Sequence, residues 1–319
     1  SDLEKAITLH DYLVLNCKYY SATSYPRKVF TAYGAMVEGQ AVCQGYALAY
    51  KYLLEKAGIT SYMVTSNSMN HAWNLVKLNG KYYHVDVTWD DPLADRICYT
   101  WHNYMFSSDT NFESNRGHSD WQVTYRNEAL SLTATDTKYD TAFWTDIDSP
   151  LIIDGGYYYY IDSDDREIRK RNTSSGAETT IYSDFEYWSP ISDSSIRYAK
   201  VRSGLFMIED RLYFNSPHYI YSIDLNGQNL RVETAKLSTS EGYVYGSACC
   251  GGEIKYALHA TYNYGVTETV LTTTLLNTEG IPAKEMGDNA RNIQQILSPD
   301  NIYGEWEKII QQTAKKGDR

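Results

Sequence analysis

The dipeptide Asn79-Gly80 limits the folds open to this chain more than any other feature. It stands between two alternating runs, residues 71–78 and 81–88. An Asn-Gly pair so placed predicts a two-residue type I′ turn, because both central positions need positive φ. With Leu78 paired to Lys81, every further pair follows by counting. Asp86 then falls opposite Trp73, and His71 opposite Thr88. Opposed residues share a face, as do alternate residues along one strand. His71, Trp73, His84, Asp86 and Thr88 are therefore expected on one side. His71 and Asp86 would be diagonal neighbours, roughly 5–8 Å apart at Cβ, which suits a hydrogen bond. A slip of one residue would destroy both the pairing and the shared face.

Upstream, Cys43 opens a helical stretch that runs to Ala57, with Gly58 as the expected left-handed stop. Gly45, Ala47 and Ala49 are small and let another element approach the helix closely. Cys43 falls in the first turn, where unpaired N–H groups and the helix dipole favour an anion. A thiol there, with a His and an Asp on a facing sheet, is the arrangement of a cysteine nucleophile. Each residue alone has a plainer reading. Such a Cys is often a small buried hydrophobe, a His beside Trp is often packed, and an Asp on a hairpin is often solvated. It is the three in register that point to chemistry. His84 shares their face and rivals His71 as the base, although beside Asp86 it is better suited to lining a cleft. Asp90-Asp91-Pro92 could serve a cation, but Asp and Pro favour a turn, which is the preferred reading.

Three segments carry a resemblance: Ala41-Val42-Cys43-Gln44-Gly45-Tyr46-Ala47, His71-Ala72-Trp73-Asn74, and His84-Val85-Asp86-Val87-Thr88-Trp89-Asp90-Asp91-Pro92. Together they resemble the transglutaminase-like core of bacterial proteins, over roughly Leu3 to Trp121. The resemblance implies a papain-like fold. It implies Cys43 as nucleophile, His71 as general base and acid, and Asp86 as the residue that orients the imidazole. The family's second oxyanion donor lies upstream of the Cys and varies; Gln40 and Tyr33 are the candidates here. Gln40, Trp73 and His84 are read as lining the substrate cleft.

The net charge of −11 argues against nucleic acid, whose binding rests on phosphate neutralisation. It argues equally against anionic membrane or teichoic surfaces as electrostatic partners. No apolar run has the length of a membrane span, and no signal peptide is visible. The chain opens on Ser1 rather than Met, which reads as a processed or trimmed product. Of five cysteines, Cys43 is assigned to chemistry. Cys17, Cys98, Cys249 and Cys250 are expected free and packed, since a vicinal disulfide is strained. No Cys/His spacing suits zinc, so neither metal nor cofactor is expected.

Residues 3–17 read as an amphipathic helix in which Ile7, His10, Leu13 or Val14, and Cys17 recur. His10 and Asp11 are read as solvated or capping. Residues 61–65 read as a strand; the resemblance implies another at 104–107, and His118 reads as structural rather than a ligand. The second half is rich in Tyr, of which the chain has 31, and short strands there alternate with polar turns. The stretch from Asp154 to Tyr160 is echoed from Glu209 to Phe214 and, more weakly, from Gly251 to Tyr256. By resemblance these are propeller-like repeats of the kind that accompany such cores in extracellular bacterial proteins. Three copies are too few for a ring, so an open stack or a sandwich is equally open. Residues 301–313 read as a closing helix.

The fold expected is thus α+β: a papain-like transglutaminase core over residues 1–140, then an all-β domain of repeated antiparallel strands over 141–285. A helical segment over 286–319 follows. The function expected is a cysteine amide hydrolase or acyltransferase acting on peptides or proteins, cell-wall peptide included, outside the cell or at its surface. The Tyr-rich half could contact carbohydrate or protein, although packing is the preferred role for its rings. The alternative is a surface scaffold that keeps the fold without activity.

Overall fold

The computed structural model describes residues 1–93, 96–126, 128–261 and 268–276. The expected closing helix at 301–313 lies outside the described residues. The first half runs α1 (Asp2–Asn16), β1 (Lys18–Tyr19), α2 (Ala32–Met36), β2 (Gln40–Ala41) and α3 (Cys43–Lys56). It continues with β3 (Ser61–Ser66), β4 (His71–Leu78), β5 (Lys81–Val85) and β6 (Met105–Ser107). α4 (Asp109–Ser114), β7 (Trp121–Tyr125) and β8 (Glu128–Leu130) complete it. Among the described residues, β3 to β8 form one six-stranded sheet, ordered β6-β5-β4-β3-β7-β8.

Local chemistry sets these elements. Ser1 and Glu4 form a reciprocal capping box at the start of α1. Gly58, at φ +83°, ends α3 in the left-handed region. Asn79 and Gly80 take φ values of 49° and 81°, the type I′ turn, and Leu78 pairs with Lys81. The counted register holds from there to Asn74 opposite Val85. It then stops. Asp86 leaves the ladder, donates its N–H to Tyr104 O at 3.0 Å, and starts a turn whose N–H groups its own carboxylate accepts. The expected pairs Trp73–Asp86 and His71–Thr88 are therefore replaced by a turn.

The sheet has two apolar faces. Val76, Leu78, Tyr83 and Val85 pack with Tyr50, Leu53 and Leu54 of α3 and with Ile7 and Leu13 of α1. Trp73, Leu75, Val64 and Val123 pack with Phe112 of α4 on the other side. α3 lies close because Gly45 leaves room for it. A Cβ there would stand 2.6 Å from Val29 O and 2.8 Å from Ala41 Cβ.

The second half is built of antiparallel meanders. The first sheet holds β9 (Ile152–Asp154), β10 (Tyr157–Asp162), β11 (Glu167–Asn172) and β12 (Glu178–Tyr182). The next holds β13 (Leu205–Ile208), β14 (Arg211–Asn215), β15 (Ile220–Asp224) and β16 (Arg231–Val232). Then come β17 (Tyr243–Cys250), β18 (Glu253–His259) and β19 (Val270–Thr273). The repeated segments read from the sequence fall at the second strand of each sheet. The described residues contain these sheets in succession and no closed ring. Among the described residues the fold is α+β, with its α-helices confined to the first half.

The two halves are joined by a buried loop. Cys98 is 1 % exposed and packs with Tyr99, Trp188 and Tyr245. Gly246 makes space for it, since a Cβ there would meet Cys98 Sγ at 2.1 Å. Arg96 is bonded to Glu268 at 3.3 Å, both of them buried. All five cysteines are free, as expected from their spacing.

The close approach at Gly45 is testable. Gly45→Ala is expected to cost about 1–3 kcal/mol through overpacking against the 29–31 backbone, read as a lower urea midpoint. An unchanged midpoint would mean that this segment shifts aside freely.

Candidate active site

Cys43 is the first residue of α3 and is half-exposed. Its N-cap, Val42, is extended and offers no side-chain cap; Val42 O accepts the N–H groups of Gly45 at 2.8 Å and Tyr46 at 3.2 Å. One turn further along α3, Ala47 O accepts the Asn74 amide at 2.9 Å. Three residues back along β4 from Asn74 stands His71, and one turn back along α3 from Ala47 stands Cys43. Cys43 stands near enough to His71 to act on its charge, raising the His71 pKa.

His71 Nε2 bonds Asp86 Oδ2 at 2.5 Å. The ring is 9 % exposed, stacks on Trp73 at a centroid distance of 5.6 Å and faces Trp89 at 5.5 Å. Burial opposes a charge on His71, but the Asp86 carboxylate and then Cys43 outweigh it and raise its pKa to about 10. Asp86 is fully buried. Burial pushes its pKa up, yet His71 and His118 prevail and hold it at about 2. Its Oδ1 accepts the N–H groups of Thr88 at 3.0 Å and Trp89 at 3.2 Å. Its Oδ2 accepts His118 Nε2 at 2.8 Å as well as His71. Thus Cys43, His71 and Asp86 are brought together, and His118, read from sequence as structural, bonds directly to one of them.

The side chains assigned to the cleft are placed differently. Trp73 and His84 pack against Phe112 of α4, on the face away from the body of α3. Trp73 is 1 % exposed and His84 is fully buried. Trp73 Nε1 donates to His84 Nδ1 at 2.9 Å, and His84 Nε2 bonds Asp109 at 2.8 Å. Burial lowers the His84 pKa below the ordinary histidine value. These two residues back His71 rather than line an opening, and His84 does not rival it as a base. Gln40, half-buried on β2, and Tyr33, half-buried in α2, both lie upstream of Cys43. Tyr19 was not singled out by sequence and belongs here. Burial first, then the nearby charges of Cys43, Tyr25 and Asp86, raise its phenol pKa.

A second buried cluster corrects two further readings. His10 and Asp11, expected to be solvated or capping, are 0 % and 5 % exposed. His10 bonds Asp11 at 2.9 Å and Asp90 at 3.0 Å. His102 bonds Asp11 at 3.0 Å and donates to Ile147 O at 2.9 Å. Leu151 N–H donates to Asp11 at 2.8 Å, linking α1 to the approach to β9. Asp90 and Asp91 lie in the turn after β5, as read from the sequence, and both are buried. Asp90 accepts Tyr104 N–H, and Asp91 accepts the Tyr46 hydroxyl. The signal for His10 was present in the sequence, since it lies on the apolar stripe of α1.

Among the described residues, two triads have donors suited to a metal, His10/Asp11/His102 and His71/Asp86/His118, each with its ligating atoms within 4.8 Å of one another. In both, those atoms are engaged in hydrogen bonds to each other. Among the described residues, no helix is long and apolar enough to cross a membrane.

Residues 1–87 match the family profile of the Transglutaminase-like superfamily, out of 319 residues in the chain. Among solved structures, a Cytophaga hutchinsonii protein designated a "Putative Cysteine Protease" is similar at 20 % identity and a TM-score of 0.23. That similarity covers 28 % of this chain and 32 % of that one, about a third of the other protein's length. No curated protein matches.

The buried His10 cluster predicts a pH dependence of stability. Burial opposes its charge, but Asp11 and Asp90 raise the His10 pKa from 6.5 to about 9. Its contribution is complete below about 6.5 and is lost as pH rises through about 9. Against its own burial, Asp11 is held at about 2 by His102 and His10. Its contribution is complete above about 4 and is lost as pH falls through about 2. Stability should be highest between these limits and fall by on the order of 3 kcal/mol from pH 6.5 to 9.5. Urea midpoints across that range measure it. A flat profile would remove the charged His10 from the account.

Proposed function

We propose that this chain, transglutaminase-like over residues 1–87, is a cysteine-nucleophile hydrolase or acyltransferase that acts on peptide amides. The observation that carries this reading is the proximity of a half-exposed Cys43, at the start of α3, to His71, whose ring is bonded to buried Asp86. A thiol, a ring that shuttles its proton and a carboxylate that fixes the ring are the parts of nucleophilic acyl transfer.

The steps follow from the groups. His71 takes the thiol proton, and Cys43 Sγ attacks the amide carbonyl carbon, forming the S–C bond as the carbonyl π pair moves to oxygen. In this reading the backbone N–H of Cys43, at the start of α3, helps to hold that oxyanion. The oxyanion collapses, the C–N bond breaks, and the His71 proton goes to the departing amine, leaving a thioester. Water or a second amine then gives its proton to His71 and attacks the thioester carbonyl. The S–C bond breaks and the thiolate leaves. Asp86 keeps the ring in one orientation throughout and offsets its charge when protonated. Hydrolysis and transamidation share every step except the identity of the acceptor.

The Tyr-rich sheets are accessory in this reading. The grip of the second half on residues 96–99 fixes them to the module that carries Cys43.

Iodoacetamide labelling of the full chain tests the nucleophile. Cys43 is expected to react selectively at pH 6–7, with His71→Ala slowing it at least tenfold and Cys43→Ala abolishing the adduct. Peptide amides should leave a Cys43 thioester visible by mass spectrometry. Labelling of Cys43 no faster than an ordinary thiol, and indifferent to His71, would favour the non-catalytic scaffold instead.

A further inference from the structure

The geometry points to His118 as a positioning residue, a buried imidazolium that shares the Asp86 carboxylate with His71 and sets how firmly His71 holds its proton. This rests on the reading of Cys43, His71 and Asp86 as the reacting site. His118 Nδ1 faces Arg116 O at 3.1 Å, and a carbonyl can only accept. Nε2 faces Asp86 Oδ2 at 2.8 Å, an oxygen that also accepts from His71. Against an ionised carboxylate Nε2 must donate as well, so the ring carries both protons.

Its surroundings suit that state. The ring is fully buried. It lies 4.0 Å from the Phe112 centroid, 4.3 Å from Trp89 and 4.8 Å from Trp73, a cage of π faces and edges. The titratable and charged groups around it come from every packed element. They are Asp86 after β5, His71 on β4 at 5.7 Å, Tyr104 before β6 at 5.6 Å, His84 on β5, and Arg116 after α4. Asp109 is engaged by His84, and Cys43 stands behind His71.

The consequence is electrostatic. A carboxylate serving His71 alone would bind the imidazolium tightly and make it a poor acid toward the departing amine. A second cation on the same oxygen offsets part of that attraction. Without it, His71 would keep its proton to higher pH. The Coulomb interaction of two charges 5.7 Å apart corresponds to about 0.5 to 2 pH units between water-like and protein-surface dielectrics. Proton delivery in the acylation step would slow, whereas alkylation of Cys43, which needs no acid, would not.

Nitrogen-15 NMR of histidine-labelled full-length protein at pH 7 reads the protonation directly. Both His118 nitrogens are expected protonated; a bare Nε2 overturns the inference. In His118→Gln, which keeps a donor but not a charge, His71 is expected to titrate 0.5 to 2 units higher. Amide turnover should fall about tenfold, and Cys43 alkylation at pH 7 should stay within about twofold. An unmoved or lowered His71 titration, or turnover and alkylation falling together, would make His118 a packing residue only. The ring measurements do not require turnover, so an inert Cys43 would sink the proposed function while these outcomes still decide the role of His118.

Discussion

The first half of this molecule depends on one buried carboxylate. Asp86 has no exposed surface, and an ionised carboxylate in that position would cost several kcal/mol without partners. It has four: two backbone N–H groups of its own turn on Oδ1 and two imidazoles on Oδ2. Those bonds end β5, fold the 86–91 turn and hold His71 at the start of β4. The same turn delivers Asp90 to His10 and Asp91 to Tyr46. A stretch of six residues therefore ties the candidate site to α1, α3 and the strand at Met105–Ser107.

The His10 cluster solves the same problem a second time. Two histidines and two aspartates are buried with their charges opposed and their hydrogen bonds directed at each other. Replacing such a group by apolar side chains need not weaken a protein, but removing one member leaves an unpaired buried charge. What the cluster supplies here is direction. Its bonds to Ile147 O and Leu151 N–H fix where the chain leaves the first half for the sheets of the second.

In those sheets the tyrosines mostly pack. Tyr158, Tyr159, Tyr160 and Tyr213 are all at most 5 % exposed, and burial raises each phenol pKa to about 12 or beyond. Tyr187 is an exception at 47 % exposed, with the Arg166 guanidinium over its ring at 3.9 Å. Packing between layers, the preferred sequence reading, accounts for most of the aromatic content without a ligand.

The sequence by itself determined whatever depends on near neighbours. The Asn79-Gly80 turn, the register as far as Val85, the helix opened by Cys43 and its stop at Gly58 all follow from local backbone preferences. So does the repeat of short strands in the second half. The tertiary structure decided what depends on distant segments. Parity placed Trp73 and His84 on one face of the sheet, but only packing showed that α4 covers that face and α3 the other. Counting carried Asp86 to a ladder position, but a bond to Tyr104, eighteen residues on, took it off the strand. His118 lies 32 residues from Asp86 and Asp90 lies 80 from His10, and no periodicity links such positions. Their meeting is set by the desolvation of charge in a shared core, which acts only once the chain has closed around it.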